Sequence, residues 1–378
     1  MSKKINIVLI SLAIIIFLVG CAPVQESKSA VEPIKIGGLF PLSGDGAAYG
    51  IPIQRATMIA VNEINAEGGI NGRPLNIIFE DAKCNPKDAV TATQKLVSVD
   101  KVKVILGGVC SGETLGAAPI TEENKIVVIS PSSTSPDITN AGDFVFRTAA
   151  SDAFAGKVAA EVAANNLNAK TAGIISETTD YAQGLRKVFK EEFEKAGGKV
   201  VANEVFNPDD TDLRTQILKV KNAEPDVIYL APQTVPKGVL LSKQIKEAGV
   251  EQQLITAEVL IGRNVVAENA PDLEGMIGIE AEFDDKAPKS AAFLAKYLAE
   301  AGEEAPFPPF MTAAYDNVNL IADAIRQHGY DSEKIRDYLY NVKDYEGALG
   351  KITIDANGDP ILEFSVKQVK DGEVVEYS

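Results

Sequence analysis

The sequence predicts an α/β fold built as two similar lobes, each a parallel sheet with helices on both faces. Short β-branched runs alternate with amphipathic helical stretches, the pattern of strands joined by helical crossovers. That rhythm runs twice along the chain. The last third then breaks it, with two helical stretches followed by strand-like runs suited to antiparallel pairing.

In the first lobe, Ile34 to Phe40 reads as a strand and Tyr49 to Glu67 as a helix. Leu75 to Glu80 is a strand and Pro86 to Val99 a helix. Val102 to Leu106 and Ile126 to Ile129 are strands separated by a helix near Glu113 to Asn124. In the second, Thr171 to Ser176 is a strand, and the helix Tyr181 to Ala196 is closed by Gly197-Gly198, a good stop signal. Val200 to Phe206 is a strand and Asp212 to Asn222 a helix; Asp226 to Ala231 and Leu254 to Ala257 are strands flanking a helix at Lys237 to Ala248. The final third holds a strand at Ile277 to Phe283 and helices at Lys289 to Ala301 and Pro309 to Gln327. Strands follow at Lys351 to Asp355, Ile361 to Lys367 and Val374 to Tyr377, with a turn at Asn357-Gly358. Two Rossmann-like lobes follow, with three crossings between them and discontinuous boundaries: 34–149 with 282–354, and 150–281 with 355–378.

The start of the chain stands apart. Lys3 and Lys4 precede an apolar run, Ile7 to Val19, too short to span a bilayer comfortably; residues 1–20 read as a secretory signal. The run ends in Leu18-Val19-Gly20-Cys21, similar to a bacterial lipobox, which implies cleavage before Cys21 and its lipidation. An ordinary signal peptide with an incidental cysteine is the alternative. The polar stretch up to Pro33 is a tether. Beyond Cys21 there remain Cys84 and Cys110, an even pair expected to form a disulfide in an oxidising space, against the alternative of two free buried thiols.

Charge narrows the partners. Taking Lys3 and Lys4 from the 37 basic residues leaves 35 against 53 acidic ones, a net charge near −18. That balance disfavours nucleic acid and anionic lipid, leaving the lipid anchor as the sole expected membrane contact. A hydrophobic fraction of 46% is ample for two cores, and the absence of tryptophan argues against a sugar-stacking cleft. No cofactor motif survives scrutiny. Gly44-x-Gly46-x-x-x-Gly50 misses the dinucleotide spacing, and Asp355-x-Asn357-x-Asp359 has Val366 where a calcium loop needs glutamate. His328 is the sole histidine, so multi-histidine metal sites are excluded; a surface helix end is its expected place.

Further motifs carry a resemblance. Ile36-Gly37, Leu42-Ser43-Gly44, Tyr49-Gly50, Asn62-Glu63-Ile64-Asn65 and Gly68-Gly69-Ile70-Asn71-Gly72 resemble the opening of type I periplasmic binding proteins of the leucine/isoleucine/valine-binding family. Asp81 to Pro86 and Cys110-Ser111 resemble that family's two disulfide segments, and Ile129 to Thr134 and Phe146-Arg147-Thr148 match in order. The resemblance spans nearly all of the chain after the tether. It implies the two-lobed flytrap fold, no enzymatic activity, and capture of an amino acid outside the cytoplasm for the permease subunits of an ABC transporter.

The resemblance also implies a site. Ser111 corresponds to the serine that binds the ligand carboxylate, and Ser132, Ser133 and Thr134 to the loop that serves both carboxylate and ammonium. Tyr181 corresponds to the tyrosine that closes from the second lobe, Glu258 to the acid that pairs with the α-ammonium, and Tyr49 to a pocket wall. Gln233 stands where leucine binders carry an aromatic residue, which implies a more polar pocket. Each residue also has a local reading. Ser111 can be a helix cap, Ser132 to Thr134 an ordinary loop before Pro136, Tyr181 a helix start that packs outward, and Glu258 a surface acid. Their recurrence at successive strand ends favours the crevice, because open α/β sheets bind ligands there. A ligand-sensing receptor subunit, or a binder of amide, urea-type or other small polar solutes, is the alternative function.

Overall fold

The computed structural model describes residues 31–377. The signal segment, Cys21 and most of the tether lie outside them. Among the described residues no helix is long and apolar enough to cross a membrane.

The first sheet holds β1 (Ile34–Phe40), β2 (Leu75–Asp81), β3 (Val104–Gly107), β4 (Val127–Ser130) and β5 (Val145–Arg147), all parallel, in the order β2-β1-β3-β4-β5. β3 and β4 are buried at every position, as strands covered on both faces must be. The crossovers are α1 (Ala47–Ala66), α2 (Pro86–Ser98) and α3 (Ser111–Asn124). α1 buries Ile53, Ala56, Ile59, Ala60 and Ile64 along one stripe. Each isoleucine so enclosed contributes about 1.5–3 kcal/mol.

The chain then passes to a second sheet through α4 (Asp152–Glu161). There β6 (Thr171–Glu177), β7 (Lys199–Phe206), β8 (Val227–Ala231), β9 (Gln253–Ala257) and β10 (Ile277–Ala281) repeat the arrangement as β10-β9-β8-β6-β7, again parallel. Its helices are α5 (Asp180–Lys195), α6 (Arg214–Asn222), α7 (Val235–Glu247) and α8 (Arg263–Leu273). A second passage leads to α9 (Pro288–Ala301), α10 (Pro308–His328) and α11 (Ser332–Tyr340), which pack on the first lobe, α10 against α1 and α11 against β4. A two-stranded ribbon, β11 (Tyr345–Glu346) with β12 (Lys351–Ile352), follows. A third passage brings β13 (Phe364–Lys370) and β14 (Glu373–Glu376) antiparallel onto β10. His328 ends α10, exposed.

The structure departs from the sequence expectation at the C-terminal strands and at three unforeseen helices. The run expected at Lys351 to Asp355 pairs with β11 over two residues and bridges Pro360 at Ile354, and the strand expected at Ile361 begins at Phe364. The turn expected at Asn357-Gly358 forms, held by Asp355 Oδ1, which accepts the amides of Asn357 (2.7 Å) and Asp359 (3.0 Å). A further hairpin turn, between β13 and β14, lies at Asp371-Gly372, both at positive φ, the usual chemistry of a two-residue turn. α4, α8 and α11 were not anticipated. α8 carries Pro271 and a non-helical Asn269, and α11, though amphipathic, has only nine residues, too few to be stable without packing.

Candidate ligand-binding site

Each parallel sheet reverses its winding beside its first strand, between β1 and β3 in one and between β6 and β8 in the other. Ligand crevices open at the carboxyl ends of strands beside such points. Loops and helix starts from both lobes meet there. Tyr49 sits in the first turn of α1, the helix after β1. Ser111 opens α3 after β3, and Ser132 to Thr134 follow β4. From the second lobe, Tyr181 lies in the first turn of α5 after β6, Gln233 follows β8, and Glu258 follows β9. Seven of the eight candidate residues line one small space of about 40 Å³: Tyr49, Ser111, Ser132, Thr134, Tyr181, Gln233 and Glu258.

Ser133 is turned elsewhere. Its hydroxyl lies 2.7 Å from Thr114 Oγ1 and donates to the carbonyl of Gly108 at 2.9 Å, so it braces the loop from behind. Ser130 does similar work, donating to Gly108 O while accepting the amide of Ser133 at 2.9 Å. A loop anchored this way holds Thr134 in place through its neighbours' hydroxyls.

Local bonds orient the hydroxyls. Ser111 Oγ accepts the Ser135 amide at 3.1 Å, which leaves its own proton free to donate to an anion. The first amides of α3 lack intrahelical acceptors and add to that positive end. Thr134 Oγ1 donates to Asp152 Oδ2 at 2.8 Å, so its lone pairs are free to accept from a cation. Tyr181 Oη donates to Glu258 Oε1 at 3.2 Å. The space is therefore polarised, with donors beside Ser111 and acids beside Thr134.

Asp152 is buried and Glu258 half-buried. Burial raises the Glu258 carboxyl above the ordinary glutamate range, against the pull of its own backbone amide and Tyr181. Burial also raises Asp152, helped by the nearby charge of Glu258 and opposed by Thr134 and Arg147. A buried carboxylate is costly unless a cation or donors compensate it.

The start of α3 is clamped. Cys84 and Cys110 are disulfide-bonded with Cα atoms 5.2 Å apart, which removes the free-thiol alternative. Glu113 accepts the amides of Cys84 (2.8 Å), Val109 (2.8 Å) and Cys110 (3.0 Å), tying both ends of the bridge together. Burial pushes its carboxyl up to about 7, against the pull of those three amides. Tyr49 is fixed by its neighbour Gly50, where a Cβ would fall 1.9 Å from Pro41 O. The Tyr49 ring packs 4.6 Å from Phe307, and its hydroxyl lies 3.5 Å from Gln233 O on the other lobe.

The comparisons with known proteins agree with this architecture. The family model described as Periplasmic binding protein matches residues 33–373. The chain belongs to the periplasmic binding proteins, in their type I, leucine-binding branch. It is 32% identical over 332 residues to the leucine-, isoleucine-, valine-, threonine- and alanine-binding protein of Pseudomonas aeruginosa, covering 87% of this chain and 88% of that one. The leucine-binding protein LivK of Thermotoga maritima superposes with a TM-score of 0.83 at 28% identity, over 91% of this chain and 98% of its own. LivJ of Streptococcus pneumoniae, solved with isoleucine, gives 0.80 at 31% identity over 92% and 100%. Members of this family are extracytoplasmic substrate-binding proteins.

Within this binding protein, three residues of the cleft escaped the sequence reading. Asp152 follows Ser151 at a helix start, where an acid looks like an ordinary first-turn residue; only its place after β5 marked it out. Glu177, at the end of β6, is 2% exposed and accepts the Gln233 amide at 2.7 Å, fixing that loop. Phe310 lines the same small space from the first turn of α10, and its Pro-Pro prefix was the available signal. Among the described residues no cluster of histidine, cysteine or acids is arranged to hold a metal.

Proposed function

We propose that this chain is the lipid-anchored solute-binding component of an ABC importer and captures an α-amino acid by closing its two lobes. One observation carries the reading: free hydroxyl and helix-start donors from one lobe face the half-buried Glu258 of the other across a single small space. A zwitterion fits that polarity. Its carboxylate meets Ser111 and the start of α3; its ammonium meets Glu258, Asp152 and the Thr134 oxygen. The relatives' printed ligands, branched-chain and small amino acids, support the same class.

Closure follows from differential contact. The ligand touches one lobe when the cleft is open and both when it is shut, so binding favours the closed form. The hinge would act at the three passages near residues 150, 282 and 355. A micromolar affinity requires about −8 kcal/mol, within reach of one desolvated ion pair and several charge-assisted hydrogen bonds. Calorimetry of the protein beginning at Cys21 against the twenty amino acids tests the reading, with mass spectrometry of the recovered ligand. Micromolar or tighter binding of an unaltered amino acid is the expected result; silence across the panel, or a converted ligand, would overturn it. Incorporation of a labelled fatty acid into the full chain, lost in Cys21→Ser, tests the anchor.

A further inference from the structure

The space around Ser111 and Glu258, about 40 Å³, has room for about three water molecules and suffices for the common head of an amino acid. Beside it lies a chamber of about 480 Å³, between the exposed edge of α9 with the 304–310 segment on one lobe and β10, β13 and the start of α8 on the other. The two share Thr134, Glu258 and Phe310 as walls, so a side chain leaving the head site past Phe310 enters this chamber directly.

Resting on the amino-acid reading above, we infer that the chamber receives the ligand's side chain and selects large aromatic α-amino acids over small and branched aliphatic ones. Its apolar walls are rich in rings, with Ile261, Phe283, Leu294, Phe307, Phe310 and Phe364, while Glu280, Asp285, Glu304, Arg263, Lys286 and Lys367 share the lining. Phe307 and Phe310 are 6.2 Å apart and tilted at 31°, and Tyr49 packs on the far side of Phe307, so an incoming ring continues an existing aromatic series. The bases on the rim are largely committed: Arg263 pairs with Asp285 at 2.8 Å, and Lys367 lies 3.9 Å from Glu280. A ring buries about 150–250 Å² in typical sites, more than a four-carbon aliphatic chain can, and either leaves room for water in about 480 Å³.

Calorimetry with alanine, valine, isoleucine, phenylalanine and tyrosine decides the question. Phenylalanine is expected to bind at least tenfold more tightly than valine. Ala295→Trp, placed on the exposed side of α9 where the fold tolerates bulk, partly fills the chamber. With folding checked by circular dichroism, it is expected to cut the phenylalanine-to-alanine affinity ratio at least tenfold. Isoleucine or valine binding as tightly as phenylalanine would overturn the inference while leaving the amino-acid reading intact. So would Ala295→Trp weakening phenylalanine and alanine equally. Silence from every amino acid would instead overturn the reading beneath it.

Discussion

Arg147 is fully buried at the end of β5, and its guanidinium makes one of the most connected polar contacts among the described residues. Nε and Nη2 grip the carboxylate of Asp359 at 2.6 and 2.8 Å, Nη1 donates to Ser135 O at 2.8 Å, and Nη2 donates to Thr139 Oγ1 at 2.8 Å. One side chain thus joins the C-terminal segment to the loop that carries Thr134. Arg147→Met keeps the apolar stem and removes the charge. Asp359, only 8% exposed, then keeps its carboxylate without a cation. Breaking one partner of a buried pair costs about 3–5 kcal/mol, mostly through the charge left behind. The test is equilibrium urea unfolding of Arg147→Met, Asp359→Leu and the double variant. The single arginine change is expected to cost that amount and to weaken ligand binding by loosening the Thr134 loop. The double variant should recover much of the stability, because neither charge is then stranded. A loss under about 1 kcal/mol for Arg147→Met, or a double variant as unstable as the sum of the singles, would refute the reasoning.

Closure has its own test. A Cβ on Gly112 would meet Asp180 Oδ2 of the other lobe at 2.8 Å, so Gly112→Leu should hold the cleft ajar, raising Kd at least tenfold while urea stability stays close to wild type. The Cys84–Cys110 bridge spans a separation of 26 residues, and chain entropy alone sets its removal at about 3–4 kcal/mol, read from the unfolding of Cys84→Ser/Cys110→Ser. Affinity should also depend on pH. Burial raises Glu258, and an ammonium partner needs it ionised, so lowering the pH from about 8 to about 5 should weaken binding, approaching tenfold per unit for one proton, and Glu258→Gln should flatten the profile. In the ligand-free protein the sign is opposite: the raised carboxyl favours folding when protonated, a contribution lost as pH rises through its folded value.

The alternation of strand and helix was legible because apolar runs and helical stripes are local properties of neighbouring residues. Most candidate site positions were legible only through the family resemblance, and Ser111, Ser132, Thr134 and Glu258 then fall at strand ends. Ser133 shows the limit. Its place in a Ser-Ser-Thr run is the same whether its hydroxyl meets a ligand or Gly108 O, and rotamer and partner are settled by what packs behind the loop. Asp152 shows the converse, an unremarkable first-turn acid made part of the cleft by β5 delivering it beside Thr134.

By itself, then, the sequence determined the two-lobed α/β order, the strand ends that could form a site, and the polarity of the groups offered there. Which groups share one space, that Cys84 meets Cys110, and that a large chamber adjoins the small head pocket were decided only by the tertiary structure. The reason is physical. Periodicity and turn chemistry act over a few residues, whereas these juxtapositions join segments as distant in sequence as Tyr49 and Phe310, and only the packing of a core continuous through both lobes sets their distances.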